Sequence, residues 1–342
     1  MASKAEVMNN ITEKKILSSP FHWKLIKNNI HKFTDEKSDG FLDEDSHFLS
    51  QPLASLLYTL NLLELKPSSN SNYVIYETKR KKYCTLRAFI ENFLLEEIKY
   101  SDHQKTLFAH YINDKDSLFK FLLKYIRERL NNNYVNWFER FATIDDAKSF
   151  VKEYGADQVY FTQYLSQLSV VAPEKAAIEI YSNLFDETGL DSSSREKRDF
   201  SLFHPEIFRR LYSYFSIKSV DRFHHQEEFN PETYYCICMM LLSIRLGYLQ
   251  GAGALFFLES SIPEQLSKIN NGLKRLGVPD SERLFLEIHC ELDEVHTINW
   301  WNYAIKDYLA TQQDLSNLLL GIEIAISARN QLWDGLLIRS QQ

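Results

Sequence analysis

The chain contains few of the residues that break helices or cross-link a chain. Among its 342 residues there are 10 glycines, 8 prolines and 4 cysteines, whereas 44% of the residues are hydrophobic and 14% are aromatic. Long stretches rich in Leu, Lys, Glu, Tyr and Phe run without turn signals, and neither strand-like alternation nor an internal repeat is present. These absences argue against a β-rich fold and favour an all-α protein that buries a large core.

The chain also lacks an excess of basic residues and a long apolar run. Its 39 Lys and Arg residues are outnumbered by 46 Asp and Glu residues, which gives a net charge of −7. This balance, without a dense basic stripe, argues against nucleic-acid binding. No apolar run is long enough to span a bilayer, and the segment MASKAEVMNNITEKK lacks the apolar region of a signal peptide. We therefore expect neither a nucleic-acid nor a membrane partner.

The four cysteines give no sign of an oxidising compartment. They are Cys84, Cys236, Cys238 and Cys290. Cys236 and Cys238 lie two residues apart in a predicted helix and point in different directions, which suits neither a disulfide nor a zinc site. We expect all four to be reduced, which favours a cytoplasmic location.

Changes in polarity along the chain indicate an N-terminal extension followed by a helical domain. The first 45 residues are polar, and ordered structure is expected to begin near Pro52. We assign residues 1–85 to an extension that is polar at first and then helical, and residues 86–342 to the domain. Apolar patterns and proline positions predict the following helices in the domain: 103–112, 116–131, 144–170, 174–187, 205–214, 231–249, a segment that ends at Glu259, a separate helix that starts at Pro263, one after Pro279 and a last one over 309–337.

The stretch His289-Cys-Glu-Leu-Asp-Glu-Val-His carries the strongest functional signal. At about 100° per residue, the spacing i, i+4, i+7 puts His289, Asp293 and His296 in one narrow sector of a helix. Two imidazoles and a carboxylate form a nitrogen and oxygen ligand set that suits iron, manganese or zinc. Phe285 and Trp300 share this sector, so burying the polar groups is costly unless they bind something. The alternative is a solvated helix face.

A complete site of this kind needs further carboxylates and another histidine from other helices. Glu259 ends the apolar segment Gly-Ala-Leu-Phe-Phe-Leu-Glu, where an unpaired carboxylate is costly to bury; alternatively it reaches solvent. Glu187 also follows an apolar face, and the alternative is an ordinary exposed carboxylate beside Asp186. His204 precedes Pro205 and is alternatively a simple helix-entry residue.

Four motifs together resemble those of a known family. They are Asp186-Glu-Thr-Gly at a helix end, His204-Pro-Glu-Ile-Phe at a helix start, Gly253-Ala-Leu followed by Glu259, and His289-x3-Asp-x2-His. From about Pro173 to Trp300 the chain resembles the haem-oxygenase-like di-iron oxidases, also called iron-containing redox enzymes. Leu56-Leu-Tyr-Thr-Leu-Asn adds further similarity upstream. The resemblance implies a haem-oxygenase-like helical bundle, with the N-terminal helical region as an addition.

The resemblance also implies a centre of two iron ions, with O2 as co-substrate and without haem. Carried over to this sequence, the metal ligands are Glu187, His204, Glu259, His289, Asp293 and His296. Glu187 and Glu259 are the catalytic residues, one of which would bridge the irons. His204 follows Glu187 by 17 residues, farther than is usual in the family, so His224 and His225 stay open as substitutes. Whether the second iron binds stably also stays open.

The activity that the resemblance implies is O2-dependent oxidation of a small organic molecule. Amino-acid-like or amine-like substrates are preferred, and the reactions it suggests are N-oxygenation, C–C cleavage and desaturation. The residues considered for substrate contacts are Tyr160, Phe161, Tyr164, Tyr234 and Tyr235, with Arg209, Arg210 or Arg245 as a carboxylate clamp. Core packing and a solvated surface are the competing interpretations. An external electron donor and a homodimer are left open.

Two other interpretations compete with an oxidase. A ferritin-like bundle binds two irons through carboxylate-x-x-His pairs on facing helices. Besides Asp293-x2-His296 it would need Asp221-x2-His224 or Glu44-x2-His47. Alternatively, the chain is a non-catalytic helical interaction protein whose N-terminal region docks a partner.

Overall fold

The structure is a computed structural model that describes residues 113–188, 203–217 and 229–342, together with residues 87, 91, 95 and 98. Its contacts divide the chain into two units, Met1–Glu97 and Ile98–Gln342. In the first unit, Arg87 and Glu91 form an ion pair across one helical turn. The predicted extension, its boundary near residue 85 and the predicted helix over 103–112 fall outside the described residues.

The described regular structure of the second unit is entirely helical, which confirms the all-α prediction. The α-helices in these ranges are α1 Lys115–Arg129, α2 Asn133–Phe141, α3 Ile144–Val171, α4 Glu174–Glu187, α5 His204–Tyr214, α6 Pro231–Leu246, α7 Tyr248–Arg275, α8 Asp280–Asn299 and α9 Gln312–Ser340. The predicted helices that correspond to α3, α4, α5 and α6 agree with these bounds within three residues. None of the described helices has both the length and the apolarity needed to cross a lipid bilayer.

Between α8 and α9 the chain forms a π-helix, Trp300–Ile305, and a short 3-10 helix, Lys306–Tyr308. Sequence patterns did not predict the π-helix. Its wider turn accommodates Trp300 and Trp301, which are adjacent in sequence and both buried.

Several helix starts follow directly from the local sequence. Thr143 and Asp146 form a reciprocal capping box at the start of α3, and α9 starts with an equivalent Thr-x-x-Asp box. The α5 helix begins at His204, with Pro205 in its first turn, where a backbone N–H would have no helical partner. The His204 side chain therefore leaves from the first residue of α5.

The α7 helix is continuous and contains Pro263, so the prediction of a separate helix starting at Pro263 is wrong. A proline inside a helix removes a backbone hydrogen bond and costs roughly 3 kcal/mol. Ser260 and Ser261, just before it, return their hydroxyls to backbone carbonyls one turn earlier. Most residues in Leu249–Leu273 are buried, and this burial outweighs the cost of the proline.

The α7 and α9 helices pack backbone against backbone at two glycines. A Cβ atom at Gly253 would lie 2.2 Å from the carbonyl oxygen of Leu318, and one at Gly321 would lie 1.9 Å from that of Gln250. A larger residue at either position would force the helices apart. Because α7 also packs on α8, this close approach helps to place the two helices that carry most of the site described below.

A buried ion pair joins α3 to α9. Arg329 Nη2 donates a hydrogen bond to Asp157 Oδ2 over 3.2 Å, and the Tyr164 hydroxyl donates to Asp157 Oδ1 over 2.9 Å. The guanidinium lies against the rings of Tyr154 and Trp333. Burial raises the pKa of Asp157, and the charge of Arg329 opposes that rise. The charged form of each side chain is therefore stabilised in the core by the other.

We expect Arg329→Met to lower the free energy of unfolding by about 3–5 kcal/mol, because it leaves the Asp157 carboxylate buried without a counter-ion. The double variant Arg329→Met/Asp157→Leu should recover most of that loss, since an apolar pair often matches a buried ion pair in stability. Urea denaturation of the metal-free proteins measures both effects. A double variant less stable than Arg329→Met would contradict this account.

Candidate metal centre

Four helices bring the six predicted ligands together in the core. Glu187 ends α4, His204 begins α5, Glu259 lies in the middle of α7, and α8 carries the other three. All six side chains are buried. They form a first triad of Glu187, His204 and His289 and a second triad of Glu259, Asp293 and His296. Within each triad the candidate ligand atoms lie within 4.8 Å of one another.

The three α8 residues are divided between the two triads. Each residue of a helix rises about 1.5 Å along the axis, so His289 lies roughly 6 Å from Asp293 in that direction. Helical periodicity correctly predicted that His289, Asp293 and His296 share a face. The structure places His289 with Glu187 and His204, and it places Asp293 and His296 with a residue of α7. This face of α8 therefore contributes candidate ligands to two triads instead of one.

In the first triad, Glu187 lies between two imidazoles. Its Oε2 atom is 2.9 Å from Nδ1 of His204, and its Oε1 atom is 3.7 Å from Nε2 of His289. His289 Nδ1 lies 2.8 Å from the carbonyl oxygen of Phe285, one turn earlier, and donates a hydrogen bond to it. In a neutral imidazole the other nitrogen, Nε2, would then carry a free lone pair toward Glu187, which is the form a metal ligand requires.

In the second triad, His296 faces two carboxylates. Its Nδ1 atom lies 3.3 Å from Glu259 Oε2 and 3.8 Å from Asp293 Oδ1. Although these contacts are close, Nδ1 of His296 and Oδ2 of Asp293 have no hydrogen-bond partner among the described residues. Buried polar atoms are normally satisfied. Both atoms therefore point to a ligand that binds nitrogen and oxygen together.

The buried charges act strongly on one another. Burial raises the pKa of Asp293 well above its usual range, and the charges of Glu259 and Glu187 add to the rise. Burial would lower the pKa of His296, but the nearby carboxylates of Asp186, Glu259 and Asp293 raise it to about 11. Burial would raise the pKa of Glu187, but the two histidines of its triad lower it instead. The carboxylates thus require positive charge beside them.

The donor set fits two metal ions. Together the triads supply three carboxylates and three imidazoles, a nitrogen and oxygen set suited to iron, manganese or zinc. A cation in the second triad would satisfy the unpartnered atoms of Asp293 and His296. The triads are also close enough for the charge of Glu187 to act on Asp293. These residues could therefore hold a pair of neighbouring metal ions.

His204 occupies the position that the sequence left least certain. It contacts Glu187 directly, although 17 residues separate the two in sequence. The alternatives His224 and His225 lie outside the described residues. The additional carboxylate-x-x-His pairs that a ferritin-like centre would need, at residues 44–47 and 221–224, lie outside them as well.

Three of the predicted substrate-contact residues have polar partners outside the triads. Tyr164 hydrogen-bonds Asp157, and Tyr235 lies within hydrogen-bond distance of Ser327. Arg209 pairs with Glu206 on the surface of α5. There it lines an open depression of about 450 Å³, which also includes Arg210, Ser213, Ser281 and Glu282 but no triad residue. A substrate role for these residues stays a prediction.

Sequence reasoning missed two residues that contact the second triad. Asn183 Nδ2 donates a hydrogen bond to Glu259 Oε1 over 2.9 Å. Asp186 Oδ2 lies 3.2 Å from Nε2 of His296. Together with Glu187 these residues have the spacing i, i+3, i+4 on α4, a signal that one helix face carries several polar groups.

Comparisons with known proteins agree with this architecture. Residues 148–330, more than half of the chain, match the profile of a family described as iron-containing redox enzymes. Two crystal structures of a CADD-like protein of unknown function from Nostoc punctiforme PCC 73102, at 2.00 and 1.35 Å resolution, share the fold. The first is 13% identical with a TM-score of 0.56 and covers 67% of this chain and 99% of its own. The second is 14% identical with a TM-score of 0.50 and covers 65% and 96%.

At these identities the structural likeness shows the fold alone, and it supports the predicted haem-oxygenase-like helical bundle. A search among curated proteins finds no match.

We expect Asp293→Asn to have opposite effects without and with metal. In metal-free protein the folded-state pKa of Asp293 lies above its unfolded value, so this group lowers stability as pH rises from about 4. The amide removes that penalty, so the variant should gain stability over wild type between pH 4 and pH 7. With Mn(II) or Zn(II) present, wild type should gain thermal stability and the variant should gain less.

Thermal unfolding across this pH range, with and without metal, measures both effects. Glu294→Gln is the matched control, because Glu294 is exposed and adjacent to Asp293 on α8. Equal stabilisation of wild type and Asp293→Asn by metal would contradict a ligand role for Asp293.

Proposed function

The chain belongs to the family of iron-containing redox enzymes, and we infer that its two triads hold a non-haem di-iron centre that uses O2 to oxidise a small organic molecule. The observation that carries this proposal is the convergence of six buried ligand residues from four helices into two adjoining triads. Burying so many ionisable groups is costly unless they serve a bound cation.

In this proposal each triad holds one iron. The first iron would be held by Glu187, His204 and His289. The second would be held by Glu259, Asp293 and His296. Glu187 and Glu259, one carboxylate from each triad, would be the ligands to which the family resemblance assigns the bridging and catalytic role. Ferrous ions bound there would supply the electrons that activate O2.

The protein's own residues prepare the site in two ways. The Phe285 carbonyl orients His289, and the Phe285 ring packs against the His289 ring with centroids 4.0 Å apart. Phe208 packs edge-on against Phe285 with centroids 4.8 Å apart. These rings keep one side of the first triad apolar, which strengthens the electrostatic interactions within it.

The proposed substrate is an amino-acid-like or amine-like small molecule. N-oxygenation, C–C cleavage and desaturation are the proposed reaction types, and the preference rests on the family resemblance. Reduction of O2 to water takes four electrons. A substrate that supplies two of them leaves two to an external electron donor, which is a further part of the proposal.

Anaerobic loading with Fe(II) tests the centre. We expect close to two irons per wild-type chain, and we expect the His289→Ala/His296→Ala double variant to lose most of them because each triad loses an imidazole. Elemental analysis and circular dichroism measure iron content and helicity. Fewer than about half an iron per wild-type chain, unchanged in the double variant, would contradict the proposal.

If iron binds, adding O2 should produce a transient visible absorption together with O2 consumption. Amino acids, amines and fatty acids can then be screened for faster decay of that signal. A compound that accelerates the decay and is itself oxidised would identify the substrate class. Loss of the signal in the double variant is the matched control.

Substitution of single carboxylates separates this centre from a ferritin-like one. We expect Glu259→Ala to lower iron content by about one ion per chain, because Glu259 belongs to the second triad. Glu44→Ala and Asp221→Ala should leave it unchanged. Elemental analysis of the three variants measures their iron content and distinguishes the two kinds of centre. The reverse pattern would favour the ferritin-like interpretation.

A further inference from the structure

The last turn of α4 carries two polar side chains that contact the second triad from outside it. Asn183 and Asp186 are three residues apart, and the next residue is Glu187 of the first triad. Building on the proposed two-iron centre, we propose that Asp186 and Asn183 are positioning residues of the second triad. Asp186 holds His296 so that its Nδ1 atom faces the metal, and Asn183 directs one oxygen of Glu259 to the same point.

The contacts of His296 place its two nitrogens in different roles. Nε2 lies 3.2 Å from Asp186 Oδ2, whereas Nδ1 faces Glu259 Oε2 at 3.3 Å and Asp293 Oδ1 at 3.8 Å. A nitrogen that binds a metal must carry a free lone pair, so the proton of a neutral imidazole resides on the other nitrogen. In the metal-bound form, Asp186 would accept a hydrogen bond from that proton on Nε2, and Nδ1 would then be the nitrogen available to the metal.

Asn183 has an analogous effect on Glu259. Its side-chain nitrogen donates to Glu259 Oε1 over 2.9 Å, and the Asn183 side chain is fully buried. With Oε1 engaged, the other oxygen, Oε2, is the one that faces His296. A buried hydrogen bond of this kind limits rotation of the carboxylate. One turn of α4 therefore orients two ligands of the second triad.

The first triad has a different outer partner. There, His289 donates to the backbone carbonyl of Phe285, which is neutral. Asp186 is an anionic acceptor, and a carboxylate behind a histidine ligand raises the basicity of the ligand more than a carbonyl does. Loss of the Asp186 charge should therefore weaken metal binding in the second triad more than in the first, where the same charge acts on His204 without a hydrogen bond to it.

Titration of the full-length metal-free protein with Co(II), followed by visible absorption, tests this selectivity. We expect two binding events in wild type. Asp186→Asn should weaken one event 10- to 100-fold and change the other by less than about threefold. Asn183→Leu, which removes the donor to Glu259, should weaken the same event. Glu294→Gln is the control, because it removes an equal charge beside Asp293 from an exposed position.

The imidazole of His296 supplies a readout that loss of stability would not move. In Zn(II)-loaded protein labelled with 15N-histidine, NMR should show His296 bound to metal through Nδ1 and protonated at Nε2. Asp186→Asn should shift the Nε2–H resonance or broaden it by exchange with solvent. Assignment uses the His296→Gln variant, in which the resonance disappears.

The outcomes separate this proposal from the one on which it rests. If wild type binds fewer than two Co(II) ions, the two-metal centre is wrong, and the positioning roles are wrong with it. If wild type binds two ions and Asp186→Asn binds both as tightly, only the positioning role of Asp186 is wrong. Metal on Nε2 of His296 would also overturn that role. Circular dichroism confirms that each variant is folded.

Discussion

The burial of three carboxylates and three imidazoles at one place in a helical core is the constraint on which the organisation of this protein depends. Even after relaxation, an ion removed from water costs several kcal/mol. The interactions among these groups shift their pKa values. Burial and two neighbouring carboxylates raise the pKa of Asp293, whereas two neighbouring imidazoles lower the pKa of Glu187. Divalent cations would replace the protons as counter-charge. A bound metal would thus offset the free-energy cost of burying these groups in the core.

The packing of the surrounding helices supports this cluster of buried polar side chains. The close approach of α7 and α9 at Gly253 and Gly321 and the ion pair between Asp157 and Arg329 hold the helices in register through residues that are not ligands themselves. The end of α4 contacts both triads, so a displacement of that turn would disturb both metal positions. The outer partners of the triads nevertheless differ, one being a carbonyl and the other a carboxylate. Two irons held there would be chemically inequivalent.

Local signals in the sequence predicted much of the fold and part of the site. Proline and apolar patterns predicted most described helices within a few residues, and helical periodicity put His289, Asp293 and His296 on one face. The sequence offered Glu187, His204 and Glu259 as candidates, and the family resemblance assigned them as ligands. The structure places all three beside that face. The prediction failed at Pro263, because the burial of a continuous α7 outweighs the local preference of proline to start a helix.

Composition and periodicity alone were enough to establish an all-α chain and a polar face on α8, because both depend on residues close together in sequence. Only the tertiary structure decided that this face divides between two triads and that His204 completes the first across 17 residues. It also decided that Asn183 and Asp186 contact the second triad. These relations depend on how helices distant in sequence pack against one another. Periodicity shows which residues share a helix face, but it does not show which helix that face meets.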